Sequence, residues 1–101
     1  MLLIAKNIKN QIIEFDDGYC FEYNLTEIIS IPNHIKILYC YNNQLTSLPN
    51  LPENLQHLSC ENNNIKQLPN LRDNLVNVWC DMCCFEDYML EMKNTNFYFY
   101  C

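Results

Sequence analysis

One glycine stands in the whole chain, Gly18. Loops that need a positive φ must therefore draw on asparagine, the next most tolerant residue for the left-handed region. Basic residues are scarce too: six Lys and Arg against twelve Asp and Glu leave a net charge of −6 over 101 residues. A nucleic-acid groove needs clustered Lys and Arg to neutralise phosphates, and an anionic membrane surface makes the same demand, so neither is an expected partner. Long apolar runs are missing. The opening MLLIAKNIKN holds an apolar run of only four or five residues, too short for the core of an export signal and far too short for a membrane span.

Catalytic signatures are also missing. The chain holds no Ser-His-Asp elbow, phosphate loop or dinucleotide fingerprint. His34 and His57 are well separated in the chain, and neither has a cysteine or carboxylate at a catalytic spacing, so both read as surface residues. The acidic run EFDD (14–17) reads as a solvated turn. No enzymatic activity and no cofactor are expected.

What the chain does have is a core and cysteines. Half of it is hydrophobic, enough for one domain with a buried interior. Seven cysteines without an export signal point to reduced thiols, metal ligands or small buried apolar groups in a reducing, cytoplasmic-type setting. Four of them, Cys20, Cys40, Cys60 and Cys80, recur at one fixed spacing, and their surroundings recur with them. Cutting the chain at that period gives LTEIISIPNHIKILYCYNNQ (25–44), LTSLPNLPENLQHLSCENNN (45–64) and IKQLPNLRDNLVNVWCDMCC (65–84) without gaps. Leu25, Leu45, Ile65 and Phe85 align, as do Ile28, Leu48, Leu68 and Tyr88. Further columns are Ile31, Leu51, Leu71; Ile35, Leu55, Leu75; and Leu38, Leu58, Val78. A fixed period with this many matching columns indicates a solenoid.

The frame L-x-x-L-x-C-x-x-N-x-L, seen in LQHLSCENNNI (55–65), resembles the leucine-rich repeat. LPNLPENLQHLSCENNNIKQLPN is similar to the shortest, 20-residue class found in secreted bacterial effectors, and the recurring cysteine resembles the cysteine ladders of internalin-type repeats. The resemblance covers about residues 25–90. It implies a short curved parallel sheet on a concave face, an extended or polyproline-type convex side and little helix. It also implies that Asn43 and Asn63 bond backbone groups of the turn after the strand, with Cys83 substituting in the next unit. The ubiquitin-ligase activity of those effectors resides in a separate domain that has no counterpart here, and fold alone does not carry function.

The residues support that architecture. Leu58 and Cys60 alternate with polar His57, Ser59 and Glu61, as in a strand with one face inward. Pro49, Pro52 and Pro69 keep the return leg out of a helix. Stacked units need caps at both ends. Residues 1–24 read as an N-terminal cap, with two short strands around a polar turn and a degenerate first unit in which Gly18 replaces the inward Leu. Residues 25–84 are the three repeats and 85–101 a C-terminal cap: a helical turn or two in FEDYMLEM, then a strand FYFYC. With a one-residue insertion, Cys101 aligns with Cys80 and Phe99 with Val78. Phe97, Phe99 and Cys101 then face in, and Tyr98 and Tyr100 face out. The chain is expected to be a complete small protein.

Outward strand positions line the concave face. One column reads Tyr19, Tyr39, Ser59, Trp79 and, in the shifted register, Tyr100; the next reads Phe21, Tyr41, Glu61, Asp81; the one before it reads Asp17, Ile37, His57, Asn77. Clustered aromatics at exposed positions mark contact surfaces, and Tyr and Trp dominate binding hot spots. Tyr19, Phe21, Tyr39, Tyr41, His57, Glu61, Trp79, Asp81 and Tyr100 are therefore the candidate binding residues for a somewhat basic and apolar protein or peptide. Cross-strand pairing that only stabilises the sheet is the competing reading. Two further alternatives stay open. The chain can serve as a building block of a larger assembly, such as a virion or surface layer, with its edge strands self-associating. Alternatively, Cys80, Cys83, Cys84 and Cys101 can form a zinc or redox site, since Cys80 and Cys83 have zinc-knuckle spacing. The 20-residue ladder itself matches no zinc spacing, and its inward phase favours packing as a small hydrophobe.

Overall fold

The computed structural model describes residues 1–71, 74–81, 92 and 94–100. The chain opens as an antiparallel hairpin of β1 (Leu3–Asn7) and β2 (Ile12–Phe15), paired from Leu3↔Phe15 to Lys6↔Ile12. Asparagine builds its turn. Asn7 Oδ1 accepts from the backbone N–H groups of Lys9 and Gln11, and Asn10 takes a φ of 63°. A left-handed residue commonly closes a short hairpin loop, and Asn fills the place usually given to glycine. The two short strands expected at the start are thus present, with Leu3, Ala5 and Phe15 turned into the core.

β3 (Leu25–Ser30) pairs antiparallel with the other edge of β1, giving the order β2-β1-β3. The repeat pattern predicts an extended or polyproline-type return leg at these residues. The difference has a local cause: LTEIIS contains no proline and is rich in β-branched residues, whereas the equivalent stretches carry Pro49 and Pro69, which cannot donate to a ladder.

The second sheet is parallel: β4 (Ile37–Tyr39), β5 (His57–Ser59), β6 (Asn77–Asp81) and β7 (Asn96–Tyr100), in that order. Ile37 stands beside His57 and His57 beside Asn77, so neighbours across β4, β5 and β6 are one sequence period apart. Tyr19 adds one more rung through a parallel bridge to Tyr39. The last strand departs from expectation. Val78 pairs with Phe97 and Cys80 with Phe99, one position short of the period where one position beyond it was expected. Two bonds pin its start: Asn96 N–H donates to Val76 O at 2.8 Å, and the Thr95 hydroxyl donates to Leu75 O at 2.7 Å. Because the error is even, the faces survive it. Phe97 and Phe99 pack against the core, while Tyr98 and Tyr100 are exposed. No helix occurs among the described residues. Segment 85–91, where helical turns were expected, lies outside them, as does Cys101.

The apolar columns fill the interior. Leu25, Leu45 and Ile65 are buried, as are Ile28, Leu48 and Leu68; Ile35, Leu55 and Leu75; and Leu38, Leu58 and Val78. The molecule is only 16 Å across its shortest axis, so each inward residue spans much of the thickness. Gly18 stands in the Leu38 column because its chain lies against β4. A Cβ there would meet Ile37 O at 1.8 Å, and Gly18 O accepts the Tyr39 N–H at 2.8 Å.

Two asparagine amides tie neighbouring units together. Asn43 Oδ1 accepts from the N–H groups of Tyr23 and Leu25, and its Nδ2 donates to Cys20 O and Cys40 O, at 2.9–3.0 Å. Asn63 repeats the pattern: its Oδ1 accepts from Leu45 N–H at 2.9 Å, and its Nδ2 donates to Cys40 O and Cys60 O at 3.0 and 3.1 Å. Asn42 and Asn62, just before these amides, take φ values of 57°; at the equivalent place in the first unit Glu22 takes 63°, so asparagine does not supply every left-handed position as expected. Asn43→Ala is expected to lower unfolding stability by about 3 kcal/mol or more, because each buried group left unsatisfied costs about 1–3 kcal/mol. The exposed control Asn50→Ala should stay within about 0.5 kcal/mol of the parent in the same urea titration. Glu22→Asn should raise stability, by about 1 kcal/mol at most, since Asn tolerates the left-handed backbone that Glu resists.

Candidate binding face

The parallel strands send alternate side chains inward and outward, and the outward ones form three columns. The middle column is Tyr19, Tyr39, Ser59, Trp79 and Tyr98. Sequence alignment misses Tyr98 because the assumed insertion puts Tyr100 beside Trp79; a one-residue deletion in the period finds it. Tyr100 instead stands beside Asp81, in the column of Tyr41 and Glu61.

The rings make a continuous group. Tyr19 meets Tyr39 edge-on at 5.3 Å between centroids, Phe21 stacks on Tyr41 at 4.6 Å, and Trp79 stacks on Tyr98 at 5.2 Å. Tyr39 and Trp79 sit two strands apart, about 9.6 Å at the usual strand spacing. Their ring centroids are nevertheless 6.4 Å apart and nearly perpendicular, at 87°. They lean over Ser59, the short residue between them, which is only 5% exposed despite its outward direction. Beside this arch is a hollow of about 180 Å³ lined by Tyr39, Tyr41, Ser59, Glu61, Trp79 and Tyr100. The Ser59 hydroxyl donates to Glu61 Oε1 and holds that carboxylate in the lining.

Two sequence candidates serve other ends. His57 Nδ1 accepts from Asn77 Nδ2 at 3.1 Å, and Asn77 Oδ1 accepts from Asn96 Nδ2 at 3.3 Å. That ladder runs along the neighbouring column, so His57 does not line the hollow. Asp81 accepts from the backbone N–H groups of Asn62 and Asn63 at 2.9 and 3.3 Å, supporting the turn of the preceding unit. A larger hollow of about 480 Å³ lies away from this face, between Ile31 and Asn33 on one leg and Asn50–Asn54 on the next. Its lining of amides, Leu51, Pro52 and Glu53 includes no nucleophile paired with a base.

Behind the aromatic face, Cys20, Cys40, Cys60 and Cys80 are buried in one inward column. Burial pushes the Cys20 thiol up to about 12, with Asp17 adding to the effect. Burial likewise holds Cys40 well above its ordinary value, helped by Cys20 and Glu61. Both are neutral packing groups at physiological pH. Among the described residues, no group of three or more His, Cys, Asp or Glu side chains is placed to hold a metal ion. Cys83, Cys84 and Cys101, the candidate partners of Cys80 in a zinc or redox set, lie outside the described residues.

No protein-family model matches the chain, and no curated protein or solved structure matches it. Among the described residues, no helix is long and apolar enough to cross a membrane.

The raised thiols make stability depend on pH at the alkaline end. A folded pKa raised above the ordinary value of 9.0 means the folded state keeps protons that the unfolded chain loses. The associated stability is complete below about pH 9 and drains away as the pH rises toward about 12. The urea midpoint should be flat from about pH 7 to 8 and fall above about 9, and Cys40→Ala should make that fall shallower.

Proposed function

We propose that the chain is a leucine-rich-repeat solenoid of the short 20-residue class and a non-enzymatic interaction module, binding a protein or peptide through the aromatic face of its parallel sheet. Three features favour the repeat reading: parallel strands paired one sequence period apart, asparagine amides repeating the same bonds one unit later, and a proline-marked return leg. The observation that carries the binding reading is the aromatic group itself. Tyr19, Tyr98 and Tyr100 are 43%, 44% and 47% exposed, at the two ends of a ring cluster continuous from Tyr19 through Tyr39 and Trp79 to Tyr98. Ring pairing alone accounts for sheet stability. It does not account for keeping this much aromatic surface in water, which is characteristic of a contact patch.

Charge narrows the partner. The three outward columns contain Asp17, Glu61 and Asp81 but no Lys or Arg. A partner segment combining apolar and basic side chains complements this surface.

Tyr39→Ala with Trp79→Ala should weaken binding of a partner captured from the native host by about 30-fold or more, the level of a hot spot worth about 2 kcal/mol. Titration calorimetry with the purified partner measures this, and far-ultraviolet circular dichroism verifies that the variant remains folded. Equal affinity of parent and folded variant would refute the aromatic face as the binding surface.

A further inference from the structure

The hollow has a chemistry more specific than apolar contact. Its walls are Tyr39, Tyr41, Trp79 and Tyr100, and Ser59 with the Glu61 carboxylate completes the lining. The walls are set at different angles: Tyr39 lies at 54° to Tyr41 and at 87° to Trp79, with both centroid distances 6.4 Å. We infer that this hollow is an aromatic cage for a methylated lysine ammonium presented by the protein partner. The inference rests on the binding-face reading above and names the side chain that face recognises.

Aromatic faces carry negative charge density, and a cation within about 6 Å of a ring centroid is attracted to it, most strongly for Trp. Four electron-rich rings and one carboxylate line a single small volume, on a surface whose three columns include no competing Lys or Arg. At about 180 Å³ the hollow is smaller than the roughly 300–1,000 Å³ typical of drug-sized ligand sites. It suits one head group on a narrow stem.

The choice among cations follows from their donors. A bare ammonium brings three N–H donors, and a guanidinium brings five in a planar fork. Apart from tyrosine hydroxyls, the side-chain acceptors in this lining are the Ser59 hydroxyl and the Glu61 carboxylate, one oxygen of which already accepts from Ser59, so most of the lining is ring face. An N–H donor turned toward a ring exchanges water for a weaker partner, at a cost in free energy. Methylation removes those donors, spreads the charge over carbon and presents apolar surface to the rings. A trimethylated lysine therefore keeps the cation–π attraction and avoids that cost.

Trp79 is the single tryptophan of the chain, so its fluorescence reports on the cage directly. The full chain is titrated with three capped single-residue probes: trimethyllysine, unmodified lysine and the neutral carbon isostere ending in a tert-butyl group. The expected result is saturable change with trimethyllysine at millimolar concentration and binding about 3- to 30-fold weaker for each of the other two, the range a cation–π contribution provides. Glu61→Gln should weaken trimethyllysine by about threefold or more and leave the isostere unchanged. Equal affinity for trimethyllysine and isostere, equal affinity for trimethyllysine and lysine, or no trimethyllysine binding would each overturn the cage. The outcomes separate from those of the binding face. If Tyr39→Ala with Trp79→Ala abolishes partner binding while no probe binds the parent, the face stands and the cage falls. If the folded double variant binds the partner as well as the parent does, the face fails even where the probe occupies the hollow.

Discussion

A primary amide at residues 43 and 63 sets the spacing on which the rest of the molecule depends. Its oxygen takes one or two backbone N–H groups from the preceding turn, and its nitrogen serves the carbonyls of two consecutive inward cysteines. Cys40 O receives both amides, so the two bonding sets share a member and form one ladder. Only an amide provides donor and acceptor at this size; a carboxylate would supply no donors and would bury a charge. With the turns bound together in this way, equivalent residues of the units that carry Cys20, Cys40 and Cys60 stand side by side.

The bonding imposes a limit on side-chain volume. Successive strands are about 4.8 Å apart, and the molecule is 16 Å across its shortest axis. Small groups occupy the closest approaches: cysteine behind the sheet, glycine at position 18 against β4, and serine at position 59 under the arch of Tyr39 and Trp79. Ser59 is the instructive case. A large aromatic at that position would fill the space between its neighbours and give an unbroken stack. The short residue lets the flanking rings lean together and leaves room beside them, with the carboxylate of Glu61 held in the lining. The same smallness therefore serves packing on one face and makes a hollow on the other.

Legibility followed the period. Where a full period separated like from like, the columns of Leu, Ile and Cys predicted burial, except that Ile31 and Leu71 in the column of Leu51 are only partly buried, and the Asn turns fell where expected. Where the period broke, expectation and structure part. Residues 25–30 lack the prolines of the later units, and the extended leg became β3 on the N-terminal hairpin. At the other end, a position missing from the period looks in the sequence like a position added, which favours Tyr100 over Tyr98. The alternation of FYFY carries phase but not register: a slip of two positions leaves every face unchanged, and local pattern has no means to detect it. The ladder to the preceding strand, begun by the bonds of Thr95 and Asn96, distinguishes the two registers.

Periodicity and alternation are properties of the chain itself. They establish the strand phase, the buried columns, the outward direction of the aromatics and the acidity of their surroundings, because a two-residue repeat and a 20-residue repeat can be counted without coordinates. Contact between rings is another matter. That Tyr39 and Trp79 close over Ser59, that His57 joins a ladder with Asn77 and Asn96, and that Asp81 is engaged by the turn at Asn62 and Asn63 all depend on side-chain torsions. Those torsions are set by neighbours from other strands, within a few ångströms and far apart in the chain. Hence the aromatic stripe was readable as a column of letters, and its division into a hollow, an arch and a hydrogen-bonded ladder emerged only once the strands were laid side by side.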